Sequence, residues 1–415
     1  LKFCMVTSFF GKHSFGGDSI YVERLSRALL RKGHEVHVAY CPGAYRSVSR
    51  GSSLRYYDPP EGLVLHPLNT PGMRGAANAA WSQITGRPGP FFRHLEGLFT
   101  NNSFDVIHLH NISLMGAESV VGLAAESSNK ATLITMHDYW WICPQSLFWK
   151  FGRQECDSPD CIKCNIRRGV PPQLWRDGRR MKESLSYLDA VLYPSRSAAE
   201  IYMREGFDHP GTQMLPGVLP RDWRHDGRME GEFPSPPPGR RPYIAAAGRL
   251  VVEKGFQTLI PLMKLFPELD LMLAGDGPLR GKLEKLAAGS DNVQFLGLLP
   301  SQGVKNLFSG ARAVVIPSLF PETFGLVAAE AAALGVQVIA RGAGALPELI
   351  NSAGAGTLYH DQDELEACLE AVRSEADSCS ENSSRQDPPE VWFEEGHLKR
   401  YLSIIDDAGM ARKQG

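Results

Sequence analysis

The stretch Tyr243-Ile244-Ala245-Ala246-Ala247-Gly248-Arg249-Leu250-Val251-Val252-Glu253-Lys254-Gly255 decides how the chain is read. Its first five residues form a short apolar run, suited to a strand buried on both faces, and a glycine ends it. Glycines let a backbone approach a ligand closely, and Arg249 with Lys254 places two cations at one strand end. A diphosphate needs such a pair when no metal neutralises it. A solvated charged loop is the plainer reading of the same residues. Open parallel sheets bind ligands beyond the carboxyl ends of their strands, so the residues after each apolar run carry the functional information.

Downstream the rhythm continues, with strands expected at Asp270–Ala274, Val293–Leu296, Ala313–Ile316 and Gln337–Ala340 and helical spacing between them. Upstream, Lys2–Thr7 leads into the loop Ser8–Gly17, then a helix carrying Val22, Leu25 and Leu29, a cap at Gly33 and a strand at Glu35–Tyr40. Asp105–Leu109, Ala131–Met136 and Ala190–Tyr193 repeat the pattern. The proline- and glycine-rich segment Arg224–Pro242 interrupts it and reads as a linker. At 415 residues the chain is too long for one core. The expected fold class is α/β, with two Rossmann-like domains whose parallel sheets face each other across a cleft. The N-terminal domain covers 1–223, the linker 224–242 and the C-terminal domain 243–387. A helix in 388–415 packs back on one of the two, the N-terminal domain in this reading, and Ser374–Pro389 reads as polar and loose.

Composition is that of an ordinary globular enzyme, 43% hydrophobic and 22% charged. A net charge of −2 argues against a nucleic-acid partner. No apolar run reaches the roughly 18 residues that span a bilayer. Leu1–Val6 reads as a first strand and not as a signal peptide. The eight cysteines lack the spacing of a disulfide framework, which points to a cytoplasmic protein.

A second site follows Ala313–Ile316, in Pro321-Glu322-Thr323-Phe324-Gly325-Leu326-Val327-Ala328-Ala329-Glu330. Glu330 falls on a helix otherwise made of Ala, Val and Leu, where a carboxylate is costly unless it has partners such as ribose hydroxyls. Glu322 precedes that helix, where the backbone N–H groups of Gly325 and Leu326 attract anions or hydroxyls; a simple helix cap is the alternative. Two glutamates eight positions apart on a helix are roughly 12 Å apart, beyond the roughly 5–9.5 Å of hydrolase pairs.

Together these elements resemble glycosyltransferase family 4, retaining enzymes of GT-B fold. Gly248–Gly255 looks like the family's Gly-Arg-Leu-x-x-x-Lys-Gly element, and Glu322 with Glu330 looks like its Glu-x7-Glu motif. Gly16-Gly17, before a helix ending in Arg31-Lys32-Gly33-His34-Glu35-Val36, resembles its N-terminal glycine loop. The resemblance implies transfer of a sugar from a nucleoside-diphosphate donor, UDP- or GDP-linked, to a hydroxyl acceptor. Arg249 and Lys254 would hold the diphosphate in place of a catalytic metal, so no cofactor is expected for catalysis. Glu330 would bind the ribose, and Glu322, with backbone around Phe324, Gly325 and Leu326, would contact the donor sugar. Gly16 and Gly17 would close the phosphate pocket. His137, in Met136-His137-Asp138-Tyr139-Trp140, would face the donor sugar, although a lone histidine is more often structural. Polysaccharide, lipid-linked and small-molecule acceptors all fit, and their recognition is expected in the N-terminal domain, including loops over Tyr45–Gly97. A sugar-nucleotide epimerase and a non-enzymatic sugar-nucleotide-binding protein are the rival readings.

Cys143, Cys156, Cys161 and Cys164 supply four thiols ending in a Cys-x2-Cys knuckle. They suit a structural zinc, with an iron–sulfur cluster, two disulfides or plain free thiols as alternatives. Beyond them, Arg167, Arg168, Arg176, Arg179, Arg180 and Lys182 are interleaved with Trp175. This segment could attract anionic lipid headgroups, at the inner face of a membrane, or a lipid-pyrophosphate acceptor; a solvated helix face is the plainer reading.

Overall fold

A computed structural model describes residues 1–49, 54–55, 57–68, 74–176, 178–224, 241–354, 356–374 and 387–414. The chain divides into two compact units, Leu1–Val218 with Glu394–Gly415, and Leu219–Phe393.

The first unit is built on a seven-stranded sheet. Its spatial order is Val64–Pro67, Glu35–Tyr40, Lys2–Thr7, Val106–Leu109, Ala131–Thr135, Ala190–Tyr193 and Thr212–Met214, all parallel. Strands such as Val106–Leu109 are buried at every position, as expected when helices cover both faces of a parallel sheet. The helix Gly17–Arg31 buries Tyr21, Val22, Leu25, Ala28 and Leu29 against one face. The long helix Glu394–Gln414 joins the same core through Leu398, Tyr401, Ile404 and Ile405.

The second unit holds a six-stranded sheet in the order Val293–Gly297, Asp270–Ala274, Tyr243–Ala247, Ala313–Ile316, Gln337–Arg341 and Gly356–Tyr359, again all parallel. In both sheets the first strand of the unit lies centrally, with the next strand on one side and a later one on the other. The strand order therefore reverses beside Lys2–Thr7 and beside Tyr243–Ala247, where the following loops diverge and leave a crevice.

Two expectations about organisation change. The division between the units falls at Val218–Leu219 and Phe393–Glu394, not around 224–242. Leu219, Trp223, Trp392 and Phe393 are buried in the core of the second unit, and the Leu219 N–H donates to the Trp392 carbonyl at 2.7 Å. Most of the segment read as a linker, 225–240, lies outside the described residues, as do 375–386 of the segment read as loose. Likewise, much of Tyr45–Gly97 is helical, over Pro42–Val48, Arg74–Thr85 and from Phe92 onward to Asn101. The strands Val64–Pro67, Thr212–Met214 and Gly356–Tyr359 were not expected; each is an edge strand whose partial exposure removes the apolar signal. Among the described residues no helix is long and apolar enough to cross a membrane.

Candidate active site

In the second unit, the loops after Tyr243–Ala247 and Ala313–Ile316 leave adjacent strands at the reversal of strand order. The first carries Arg249 and a short 3-10 turn, Val252–Lys254; the second carries Ser318, Glu322 and the helix Leu326–Ala333. They are bound closely to each other. The Leu319 N–H donates to the Glu253 carbonyl at 2.8 Å. Gly255 has φ +73°, and a Cβ there would lie 1.8 Å from the Pro317 carbonyl oxygen. Only glycine satisfies both conditions.

This contact brings Lys254 and Glu322 together. Lys254 Nζ donates to Glu322 Oε1 at 2.6 Å, and the hydroxyl of buried Ser318 donates to the same oxygen at 2.6 Å. The side chains retain 25% and 13% of their exposure, so the pair is less screened by salt and solvent than a surface ion pair. Lys254 Nζ also lies 5.1 Å from the centre of the Phe320 ring. The helix Leu326–Ala333 is capped by Gly325, and the Glu322 carboxylate accepts from Lys254 and Ser318, so a simple helix cap does not describe it. Glu330 is 6% exposed on a helix otherwise apolar, and Arg249 is half-buried.

The loop Gly342–Ala345, which carries no motif noted in the sequence, completes the frame. The Ala345 N–H donates to the Glu322 carbonyl at 2.8 Å, fixing the Glu322 backbone from a third strand end. The neighbouring Gly275-Asp276-Gly277 loop was also missed. A Cβ on Gly275 would stand 1.9 Å from the Gly248 carbonyl oxygen. The signal was present in both cases, a glycine pair directly after an apolar strand.

In the first unit, Gly16 caps the helix Gly17–Arg31 in an extended conformation, and a Cβ added to either Gly16 or Gly17 would meet nothing within 4 Å. The packing of the fold does not demand glycine at either position. His137 follows Ala131–Thr135 and is half-buried, with Nε2 2.9 Å from His110 Nδ1 and the Tyr21 ring edge-on at 4.9 Å. Burial lowers its pKa to about 3, so the ring is neutral at ordinary pH. Asp138 accepts from the Trp140 N–H at 2.8 Å and from Asn111 Nδ2 at 3.2 Å. Burial foremost, with the nearby charge of Asp18 adding to it, pushes its carboxyl up to about 7.

Behind His137 lies a polar cluster invisible in the sequence. His108, His110 and His397 are at most 2% exposed. His108 meets the Tyr401 hydroxyl at 2.9 Å and Thr135 Oγ1 at 2.8 Å, and His397 Nε2 lies 3.1 Å from the Tyr21 hydroxyl. These residues come from two neighbouring strand ends and two helices.

The four clustered cysteines share one region without closing into a ligand set. Cys143, Cys156, Cys161 and Cys164 are all free, and among the described residues no three His, Cys, Asp or Glu side chains are grouped to hold a metal ion. Burial foremost, with the other three thiols adding to it, pushes the Cys156 thiol up to about 11. The sulfurs also have other neighbours. Cys164 Sγ accepts the Phe151 N–H at 3.3 Å, Cys156 Sγ faces the Ser158 carbonyl at 3.9 Å, and Cys143 and Cys161 lie near Arg176. Arg176 in turn leaves the basic surface: it sits 4.6 Å over the Trp140 ring and donates to the Trp140 carbonyl and to Gln173. Trp175 is half-buried, its Nε1 donating to the Gln83 carbonyl at 3.0 Å. Arg167, Arg179, Arg180 and Lys182 remain exposed.

Two family models match the chain, Glycosyltransferase Family 4 over residues 15–218 and Glycosyl transferases group 1 over residues 228–383. The sulfoquinovosyl transferase of Arabidopsis thaliana is 34% identical over 137 residues, 32% of this chain and 26% of that protein. The chain thus matches about a quarter of the length of that relative. The D-inositol 3-phosphate glycosyltransferase of Pseudarthrobacter chlorophenolicus is 26% identical over 84% of this chain and 79% of its own length. Among solved structures, the catalytic domain of starch synthase IV from Arabidopsis thaliana, bound to ADP and acarbose, superposes over 99% of each chain with a TM-score of 0.65 at 16% identity.

Proposed function

Since the chain belongs to the glycosyltransferases of family 4 and group 1, with their GT-B fold, we propose that it is a retaining transferase moving a sugar from a nucleoside-diphosphate sugar to a hydroxyl acceptor. The observation that carries this reading is the convergence of Arg249, Lys254 and Glu322 on two strand ends at the reversal of strand order. Both cations serve the donor diphosphate, which develops charge as the sugar departs, so fixed positive charge there stabilises the transition state more than the ground state. Glu330 receives the ribose, and Glu322 faces the donor sugar while setting the position of the Lys254 ammonium. The departing phosphate assists deprotonation of the acceptor on the same face, and no protein side chain acts as base. The starch synthase neighbour solved with ADP supports a nucleoside diphosphate as the leaving group.

Thermal unfolding of the wild type and Lys254→Ala against UDP, GDP and ADP tests this. A ligand at about 100 times its Kd stabilises the fold by roughly 2.7 kcal/mol. A shift with one nucleotide, lost in the variant, names the donor class. No shift with any of the three removes the diphosphate site and the transferase reading with it.

The exposed cations Arg167, Arg179, Arg180 and Lys182, together with Ile162 and Ile166 at 53% and 62% exposure, support peripheral contact with anionic lipid. Flotation with vesicles containing phosphatidylserine, compared with neutral vesicles, decides this; equal recovery from both excludes it.

A further inference from the structure

His137 shares its Nε2 with a second histidine, and the state of that neighbour determines which nitrogen of His137 carries the proton. His110 is 2% exposed; its Nδ1 lies 2.9 Å from His137 Nε2. Its own Nε2 is buried without a hydrogen-bond partner among the described residues. Both rings are neutral, because burial holds both pKa values well below the usual histidine range. A neutral imidazole has one N–H, so one ring of this pair donates and the other accepts.

The two arrangements differ at the far side of His110. Were His137 to donate, His110 would carry its proton on Nε2 and leave a buried N–H with no acceptor. With His110 donating from Nδ1, the far nitrogen holds only a lone pair. Among buried backbone groups an orphaned N–H is rarer than an under-satisfied acceptor, and the same preference favours the second arrangement here. The ring of His110 is also held in place. The His108 ring lies 4.0 Å away, centre to centre, and both of its nitrogens are engaged by Tyr401 and Thr135.

We propose that His110 is a positioning residue that fixes His137 as the tautomer protonated on Nδ1, so that the ring presents an N–H donor from the side turned away from His110. In the transferase reading, on which only the consequence of this tautomer rests, that donor serves an oxygen of the transferred sugar. A bare nitrogen there could only accept, from a sugar hydroxyl, and could not donate to the oxygen. The helix Glu394–Gln414, which supplies Tyr401, is thereby part of the apparatus that orients His137.

The test is imidazole nitrogen NMR on protein labelled with 15N-histidine, the His137 signals being identified by their loss in His137→Gln. The wild type is expected to show His137 with Nδ1 protonated and Nε2 bare. His110→Asn, whose side-chain amide can donate from the place of Nδ1, should keep that tautomer and turn over within a few-fold of wild type. His110→Leu should give mixed tautomers and lose about tenfold in kcat, the equivalent of 1.4 kcal/mol, with the KM for donor little changed. A wild-type His137 protonated on Nε2 overturns the proposal, as does an unchanged tautomer in a folded His110→Leu. Should His110→Leu not fold, the wild-type and His110→Asn spectra decide alone. Absence of turnover with every nucleotide sugar would count against the transferase reading and leave the tautomer result standing.

Discussion

Lys254 Nζ donates across 2.6 Å to Glu322 Oε1, 68 positions further along the chain, joining the loops that leave two neighbouring strands. Removing either partner leaves the other as a half-buried charge without its main compensation. Lys254→Met and Glu322→Gln are each expected to cost about 1–3 kcal/mol, and the double variant less than the sum. Urea unfolding of the four proteins in the cycle measures this; strict additivity would show that the pair contributes no coupling.

Gly17 offers a separation of function from folding. It opens the helix Gly17–Arg31, its φ is not in the left-handed region, and an added methyl meets open space. Gly17→Ala should leave stability unchanged or raise it by up to about 1 kcal/mol, because alanine restricts the unfolded chain and favours helix. If a phosphate group approaches this turn, the same methyl obstructs it, and donor affinity should fall. Equal affinity in a stable variant would remove Gly17 from the donor pocket.

Gly255 should behave in the opposite way. Its left-handed φ of +73° and the 1.8 Å approach of a Cβ to the Pro317 carbonyl oxygen leave a side chain no room. Gly255→Ala is expected to cost more than about 2 kcal/mol through backbone strain and displacement of the Pro317 loop. Nucleotide binding should weaken too, since the Lys254–Glu322 contact depends on that loop. Thermal unfolding with and without nucleotide reads both effects.

Asp138 makes a pH prediction. Its carboxyl titrates near 7 in the folded chain, above its ordinary value of about 3.9, so the folded state keeps a proton that the unfolded state has lost. The resulting stability is fully present below about pH 4 and disappears as pH rises through about 7. Asp138→Asn abolishes this titration. The Tm of the variant should therefore gain on that of the wild type between pH 5 and pH 8. A constant difference across that range would contradict the raised carboxyl.

Much of the architecture was legible because buried parallel strands must be short, continuous and apolar, as Tyr243–Ala247 and Ala313–Ile316 are. The edge strands Val64–Pro67, Thr212–Met214 and Gly356–Tyr359 escaped because exposure permits polar residues, whereas the edge strand Val293–Gly297 kept enough apolar residues to be legible. Proline and glycine marked 224–242 as a break in periodicity, yet the units part at Val218–Leu219. Trp223 lies buried with Trp392 and Phe393, and no local signal can reveal a partner that far along the chain. The cysteine knuckle meets a related limit: spacing shows that thiols can meet, while their tertiary neighbours decide what they meet.

Local sequence carried the class of fold, the segments following strands in which Arg249, Lys254, Glu322, Glu330 and His137 lie, and the resemblance of these motifs to a family. Such information is local, carried by side-chain period and by glycines and charges placed next to apolar runs. Tertiary structure alone decided that Lys254 pairs with Glu322, and that His137 is backed by His110 and by a cluster including Tyr401 of the last helix. The distances and protonation states of these groups depend on burial and on neighbours from remote segments. Desolvation and hydrogen bonding act through space, and only the folded chain defines that space.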